Sequence, residues 1–361
     1  GVTGKLVSER EAGPYTAGIK ADYASVREKR LARPRADRLV SLSDARSNGA
    51  PVSFKDYTPK RPSWLGSKSF SPYALDALVE TIDWTPFFRT WELAGNYPAI
   101  LDDSVVGDAA TALFTDAQAM LSRIVDEGWL IPRAVVGFWP AASEGDDILL
   151  YTGEDRRQEL ARFHCLRQQV SKREGRANDC LADFIAPTGS VPDWIGGFAV
   201  SAGEGIEAQL AKYEAAHDDY HAILLKALAD RLAESFAEHM HARVRREFWG
   251  YAAGEACSNE DLIKERYQGI RPAPGYPACP DHSMKDTLFE ILDATAQTGI
   301  TLTDSFAMLP AASVSGLYFA HPDAHYFGVS KIGRDQVDDY AQRRGISREE
   351  AERYLRPNLA Y

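Results

Sequence analysis

The chain has 361 residues, 45% hydrophobic and 26% charged, enough apolar content for a substantial core and unlike disordered, fibrous or collagenous sequences. Its net charge of −11 is uneven: residues 1–62 hold 13 Lys/Arg against 7 Asp/Glu, and the remainder 28 against 45, so the acidic body repels phosphate backbones and a nucleic-acid partner is excluded. Four widely spaced cysteines without a CxxC pair indicate neither a disulfide framework nor a cysteine-rich metal site and suit a reducing cytoplasm, while no stretch approaches the roughly 20 apolar residues of a membrane span.

Residues 1–62 read as a basic linker or tether. Gly13-Pro14, a polar helical stretch over 15–31, Arg33-Pro34-Arg35 and Asn48-Gly49-Ala50-Pro51 leave little that could form a core. With no initiator Met at its start, the chain is expected to be a piece of something longer. The compact unit is expected over 63–361. A helix is predicted over 72–80, and in Asp83-Trp84-Thr85-Pro86-Phe87-Phe88 a capping Thr85 and Pro86 at the first helical position place Asp83 just outside a helix N-terminus. The stripe Ala112, Leu113, Ala117, Met120, Leu121 and Ile124 predicts a helix over 108–127. Strands at 134–139 and 148–152 joined across Gly145-Asp146-Asp147 form a hairpin, and further strands are predicted at 180–186 and 195–202. Apolar residues at mostly four-residue steps run over 206–249, as one bent helix or two. Strands at 313–320 and 325–332 are expected as a second hairpin, followed by helices over 334–344 and 348–355. Hairpins with helices that do not strictly alternate predict an α+β fold.

Several motifs invite chemistry that their surroundings do not support. Gly203-Glu204-Gly205-Ile206-Glu207-Ala208 matches the dinucleotide pattern G-x-G-x-x-A, but the following helix is too long for a compact crossover and two glutamates would sit beside the phosphates. His217 with His221, and His239 with His241, are metal-ligand residue types, yet HExxH is absent and no third ligand has a recognisable position. No G-x-S-x-G nucleophile motif is present. The most informative segment is Arg271-Pro272-Ala273-Pro274-Gly275-Tyr276-Pro277-Ala278-Cys279-Pro280-Asp281-His282. Its four prolines in nine positions exclude a helix and imply a stiffened, extended loop that costs little entropy to order around a small polar ligand.

At this segment the chain resembles the C-terminal activation domain of cobalamin-dependent methionine synthase, which binds S-adenosylmethionine. The similarity is also carried, in the same order, by Ile82-Asp83-Trp84-Thr85-Pro86-Phe87-Phe88, Ala229-Asp230-Arg231-Leu232-Ala233-Glu234, Leu302-Thr303-Asp304-Ser305-Phe306-Ala307-Met308, Ala312-Ser313-Val314-Ser315-Gly316, Phe319-Ala320-His321-Pro322-Asp323 and Arg334-Asp335-Gln336-Val337-Asp338-Asp339-Tyr340, from about residue 60 to the end.

The resemblance implies a central, mainly antiparallel twisted sheet with flanking helices and a ligand groove on its surface. It assigns Arg271 to the ligand carboxylate and Asp83 to the ammonium end of the same amino acid, a pairing that the planar guanidinium and the acid also favour chemically. Ala273, Gly275 and Tyr276 would line the groove, with Glu234 as a matching acidic position. Tyr326 and Phe327 fall where the family usually carries two tyrosines; the Phe departs from that pattern and loses one hydroxyl. The implied function is reactivation: a methyl group from S-adenosylmethionine and an electron from flavodoxin or a flavoprotein reductase restore methylcobalamin from cob(II)alamin. Cobalamin itself would be held by a neighbouring module of the same parent chain, whose D-x-H-x-x-G signature is not expected here. No catalytic acid, base or metal ligand is implied, and the piece alone would not be a complete methionine synthase. The alternative is a free-standing S-adenosylmethionine-binding regulatory protein.

Overall fold

The computed structural model describes residues 2–8, 10, 12–32 and 39–361, and the break at Arg33-Pro34-Arg35 lies outside them. At its centre is a six-stranded antiparallel sheet. The strands are β1 (Gly66–Phe70), β2 (Ile131–Glu144), β3 (Asp147–Tyr151), β4 (Glu159–His164), β5 (Asp193–Glu204) and, beyond the two-residue β6 (Thr301–Leu302) and β7 (Met308–Leu309), β8 (Ser313–Tyr318). They run in the order β4-β3-β2-β5-β8. The 14-residue β2 is long enough to serve two neighbours on one side: β1 pairs with its first half, Phe70 opposite Ala134, and β3 with its second, Leu150 opposite Ala141. The α+β architecture matches expectation, and the strands predicted at 134–139, 148–152 and 195–202 lie in or along β2, β3 and β5.

Both faces of the sheet are covered, so strand alternation sorts residues between two cores. Ala134, Val136 and Phe138 of β2 and Phe198 and Val200 of β5 enter the first; Val135, Trp139, Ile195 and Ala199 enter the second. In chain order the helices begin with α1 (Val2–Val7), α2 (Ala12–Ala32) and α3 (Leu42–Ser47). The first core is then covered by α4 (Asp76–Val79), α5 (Thr85–Thr90), α6 (Gly107–Asp126), α7 (Ile206–Ala215) and α8 (Asp219–Arg243). A short α9 (Asn259–Ile263) precedes α10 (Met284–Leu292) and α11 (Ala294–Thr298), which cover the second. A third cluster lies under α12 (Arg334–Arg344) and α13 (Arg348–Tyr354).

The apolar run over 206–249 resolves into two helices. The chain breaks at His217, φ +55, and the Asp218 carboxylate accepts from His221 N at 3.1 Å to start α8. Beyond α8 the backbone loosens into a π turn over Val244–Phe248. Three expectations fail for local reasons. The strand predicted at 180–186 is a 3-10 turn at Leu181–Phe184, because the Asp183 carboxylate accepts from Cys180 N and draws the chain into a capped turn. The predicted helix over 72–80 shrinks to α4. No strand forms over 325–332: Val329 N donates to Pro277 O at 2.8 Å and Ser330 takes φ +61, so the antiparallel neighbour of β8 on that side is the 270–272 segment.

Residues 39–62, within the stretch that the sequence assigns to a tether, run along the body. Leu42 N donates to Asp335, Arg46 bridges Asp146 and Asp339 at 2.8 Å each, and Trp249 Nε1 donates to Lys60 O at 2.6 Å.

The first core depends on α8, where Leu228 is fully buried. Leu228→Ala is expected to destabilise the protein by about 2–5 kcal/mol, read from urea unfolding; a loss below 1 kcal/mol would mean that α8 does not anchor this core.

Candidate functional site

Past β8 the sheet is extended by residues 270–272. Ile270 and Phe319 exchange N–H···O bonds at 3.0 Å, and Leu317 N donates to Pro272 O at 2.9 Å. Pro272 can accept but not donate, and Pro274 follows two residues later, so the ladder stops there and the chain turns into the loop. Alternation sends Ile270 into the second core and leaves Arg271 on the face of α8. There α8 presents a polar stripe, Glu234, Glu238 and His241, continued in the π turn by Arg245 at steps of four, three and four residues.

Arg271 is held by its backbone and by one corner of its side chain. Its N–H donates to the Tyr326 hydroxyl at 3.0 Å. Nη1 lies 2.7 Å from Glu238 Oε2, donates to Tyr267 Oη at 3.0 Å and reaches His241 Nδ1 at 3.3 Å. Nε and Nη2 have no partner among the described residues, so one edge of the planar fork remains for another group. Burial pulls the guanidinium pKa down, but the Glu238 charge together with Tyr267, Tyr326 and Tyr318 raises the value overall.

The partners of Arg271 are themselves fixed. Arg245, fully buried, makes a bidentate pair with Glu255 at 2.8–2.9 Å, stacks over the Tyr267 ring at 4.0 Å and stands 3.7 Å from Glu238. His241 stacks on Tyr318 with centroids 5.2 Å apart. Burial first, then the Arg245 and Arg271 charges, drive its pKa well below the ordinary 6.5. It is therefore neutral, accepting at Nδ1 and turning Nε2 toward Tyr251 Oη at 3.4 Å.

The proline-rich loop closes on itself. Gly275 N donates to Cys279 O at 2.7 Å, Cys279 N to Tyr276 O at 2.9 Å, and Tyr276 N to Ala273 O at 3.1 Å. Gly275 has φ +97, and a Cβ there would stand 2.1 Å from His282 Cε1, so both backbone and space require glycine. Between this loop, Glu234 on α8, the 305–308 loop and β8 lies a cavity of about 230 Å³ that includes Ala273 and Tyr276 in its walls. Burial raises the pKa of the Glu234 carboxyl and that of the Tyr276 phenol, the latter with help from the Glu234 charge.

Thus Glu234, Arg271, Ala273, Gly275, Tyr276 and Tyr326 are gathered between α8 and the sheet edge. Asp83 accepts from Thr85 N at 3.0 Å and so starts α5. Two residues earlier, Thr81 Oγ1 lies 2.7 Å from Ser235 Oγ, which brings this stretch to the turn of α8 that carries Glu234 and Glu238. Phe327 is placed elsewhere: it packs against the second and third cores, 6.3 Å from the Phe184 ring. Glu238, His241, Tyr267 and Arg245 were not foreseen as one constellation. Glu238, His241 and Arg245 carry a signal in the regular spacing of polar residues along α8 and its π turn, and Tyr267 carries none.

The motifs left aside have structural explanations. Glu204 pairs with Arg133, and Gly205 takes φ +93 with Trp129 O where a Cβ would be. His221 pairs with Asp218 at 2.7 Å and His239 with Tyr73 at 2.8 Å. The D-x-H-x-x-G spacing, not expected in this chain, does occur as Asp323-Ala324-His325-Tyr326-Phe327-Gly328. His325 Nδ1 lies 2.9 Å from the Asp323 carbonyl and Nε2 3.5 Å from Asp179. The string belongs to the loop that delivers Tyr326 to Arg271, and Gly328 O accepts from Gln168 Nε2 at 2.7 Å.

Residues 74–345 match the family described as "Vitamin B12 dependent methionine synthase, activation domain". Among solved structures, the chain is similar to one described as "Crystal Structure of the MetH Reactivation Domain bound to AdoHcy", with 53% sequence identity and a TM-score of 0.87 over 90% of this chain and 99% of that one.

Two outcomes follow from the site itself. Gly275→Ala is expected to lose about 1–3 kcal/mol from backbone strain and the displaced His282 ring; an unchanged urea midpoint would mean that the turn tolerates a Cβ. Because folded His241 refuses a proton that the unfolded chain accepts below the ordinary 6.5, stability is lost as pH falls through that value, by up to about 1.4 kcal/mol per pH unit for one group. Urea midpoints between pH 7 and 5 should fall less steeply in His241→Gln than in wild type, and equal slopes would refute the buried neutral imidazole.

Proposed function

Because the chain belongs to the family of vitamin B12-dependent methionine synthase activation domains, we propose that it binds S-adenosylmethionine in the groove between α8 and the proline-rich loop and serves the reductive reactivation of cobalamin carried by a neighbouring module of its parent chain. The observation that carries this reading is the Arg271 guanidinium, whose side-chain contacts all fall on Nη1 and whose Nε–Nη2 edge is left to the groove. That edge matches a carboxylate bidentately. Asp83, on the stretch that packs against the same turn of α8, supplies an acid for the ammonium group. Tyr326 fixes the Arg271 backbone, and Ala273, Gly275 and Tyr276 form the rigid rim. Phe327, half-buried against the second and third cores, backs the loop that carries Tyr326.

Cobalamin, presented by the neighbouring module, would supply the nucleophile as reduced cobalt, so the groove needs no general base; its residues bind the methyl donor and orient the sulfonium methyl outward. The electron donor is flavodoxin or a flavoprotein reductase, and the four free thiols fit a cytoplasmic setting. The leading segment 1–62 connects to the cobalamin-carrying module, with its last part, from residue 39, held against the body. Methionine synthesis requires the other modules. A free-standing regulatory role is not favoured by the family match.

Calorimetric titration with S-adenosylhomocysteine tests the reading. Arg271→Ala should weaken binding by about 2–5 kcal/mol. Since that change also strips Glu238 of its partner, Arg271→Lys, which keeps the charge but not the fork, should show a smaller loss in the same direction; wild-type affinity in both variants would remove Arg271 from the ligand site.

A further inference from the structure

The end of α8 is completed by a distant part of the chain. In the π turn that follows it, Val244 O accepts from Trp249 N and Gly250 N at 2.9 and 3.0 Å, and Arg245 O from Ala252 N at 2.9 Å. The last two carbonyls of the turn are met from the leading segment instead. Ser63 reaches both, its hydroxyl donating to Glu247 O at 3.1 Å and its N–H to Phe248 O at 2.9 Å. Lys60 closes the arrangement: its amine donates to Gly250 O at 2.6 Å, while its carbonyl accepts from the buried Trp249 indole at 2.6 Å. Gly250 has φ +75, and a Cβ there would stand 3.2 Å from the Lys60 amine, so the amine approaches backbone that a side chain would crowd. The same strap, residues 57–63, also meets the sheet edge. Tyr57 Oη donates to Ala320 O at 3.4 Å, a carbonyl that accepts from Gln268 Nε2 at 2.8 Å as well, and its ring packs edge-on against His321 with centroids 4.5 Å apart.

We propose that this strap is a positioning element of the ligand site, with Lys60 and Ser63 acting through the end of α8 on the Arg271 fork. The inference rests on the S-adenosylmethionine reading above and names what holds its anchor in place. Two supports orient Arg271, and the strap touches both. Along the first, the capped turn carries Arg245, which stands 3.7 Å from Glu238, and leads to Tyr251, whose hydroxyl faces His241 Nε2 at 3.4 Å; Glu238 and His241 are the groups that meet Arg271 Nη1. Along the second, Ala320 directly follows Phe319, which exchanges hydrogen bonds with Ile270, and Gln268 directly follows Tyr267, which accepts from Arg271. Carbonyls at a helix end hydrate readily once their partners leave, so a released strap lets the last turn fray without unfolding the core. The fork then loses its set orientation, and a planar bidentate contact is sensitive to that loss in a way that a point charge is not. Because coupling between sites is reciprocal, a ligand that fixes the fork also holds the strap down.

Calorimetry on the whole chain with S-adenosylhomocysteine tests this, with thermal unfolding to confirm that each variant is folded. The double variant Lys60→Met/Ser63→Ala, which removes both side-chain donors of the strap, is expected to weaken binding about 3- to 10-fold. In an Arg271→Lys background the same double change should have no further effect, since a lysine presents no planar edge to misalign. A strap that merely stabilised the fold would weaken both backgrounds by the same factor. Hydrogen exchange reads the coupling from the other end: saturating S-adenosylhomocysteine should slow exchange of the Ser63 amide, and more so in wild type than in Arg271→Lys. Equal losses in the two backgrounds, wild-type affinity in the double variant, or a Ser63 amide indifferent to ligand would each overturn the positioning role and leave the functional reading standing. Wild-type protein that does not bind S-adenosylhomocysteine overturns the functional reading and this inference together.

Discussion

The groove is organised around the ion pair between Arg271 and Glu238. Two independent constraints bring the partners together. Pairing of residues 270–272 with the end of β8 sets the backbone of Arg271, and the position of α8 over the first core sets Glu238. Neither is a loop contact. The guanidinium is therefore oriented by rigid elements before any ligand arrives, which lowers the ordering cost of recognition. Breaking the pair by removing one member would leave an uncompensated charge in a poorly hydrated place, a costlier event than never having built it.

The surroundings of that pair are balanced in charge. Arg271 and Arg245 face Glu238 and Glu255, two positive groups against two negative, and His241 between them stays neutral. A protonated imidazole in that position would add a third positive charge to a site with low capacity to screen it. The neutral ring instead supplies the lone pair that Arg271 Nη1 approaches and an aromatic face for Tyr318. Along α8, the same stripe runs from Glu234 at the cavity to the π turn, after which Trp249 binds Lys60 O. One helix thus borders the cavity beside the proline-rich loop at one end and, through the turn that follows it, holds the point where the leading segment meets the body.

Much of this was legible in the sequence where local pattern and tertiary context agreed. The α+β class, β2, β3, β5 and α6 follow from alternation or a single apolar stripe, and the proline-rich segment announced a rigid loop next to Arg271. Where a side chain competes with the pattern, the reading failed. Asp183 turned a predicted strand into a capped turn, and the expected hairpin partner of β8 was displaced by 270–272, a segment whose prolines hide its strand character. Phe327 stood next to Tyr326 in the motif, yet adjacent residues of an extended chain point to opposite sides, and one meets the Arg271 backbone while the other packs against the second and third cores. Glu238 was invisible for a different reason: its role is defined by Arg271, 33 positions later, and no local spacing encodes that distance.

The packing of Gly275, His282 and Lys285 limits how this loop can change over evolutionary time. The imidazole occupies the volume that a larger residue 275 would need, and the lysine amine holds that imidazole in place. Drift at the three positions is consequently epistatic. A larger residue at 275 would have to adopt a strained backbone as well as displace the ring at 282, and without that ring the amine at 285 keeps a single carbonyl partner. The three positions are thus coupled, since a change at one alters what the other two require.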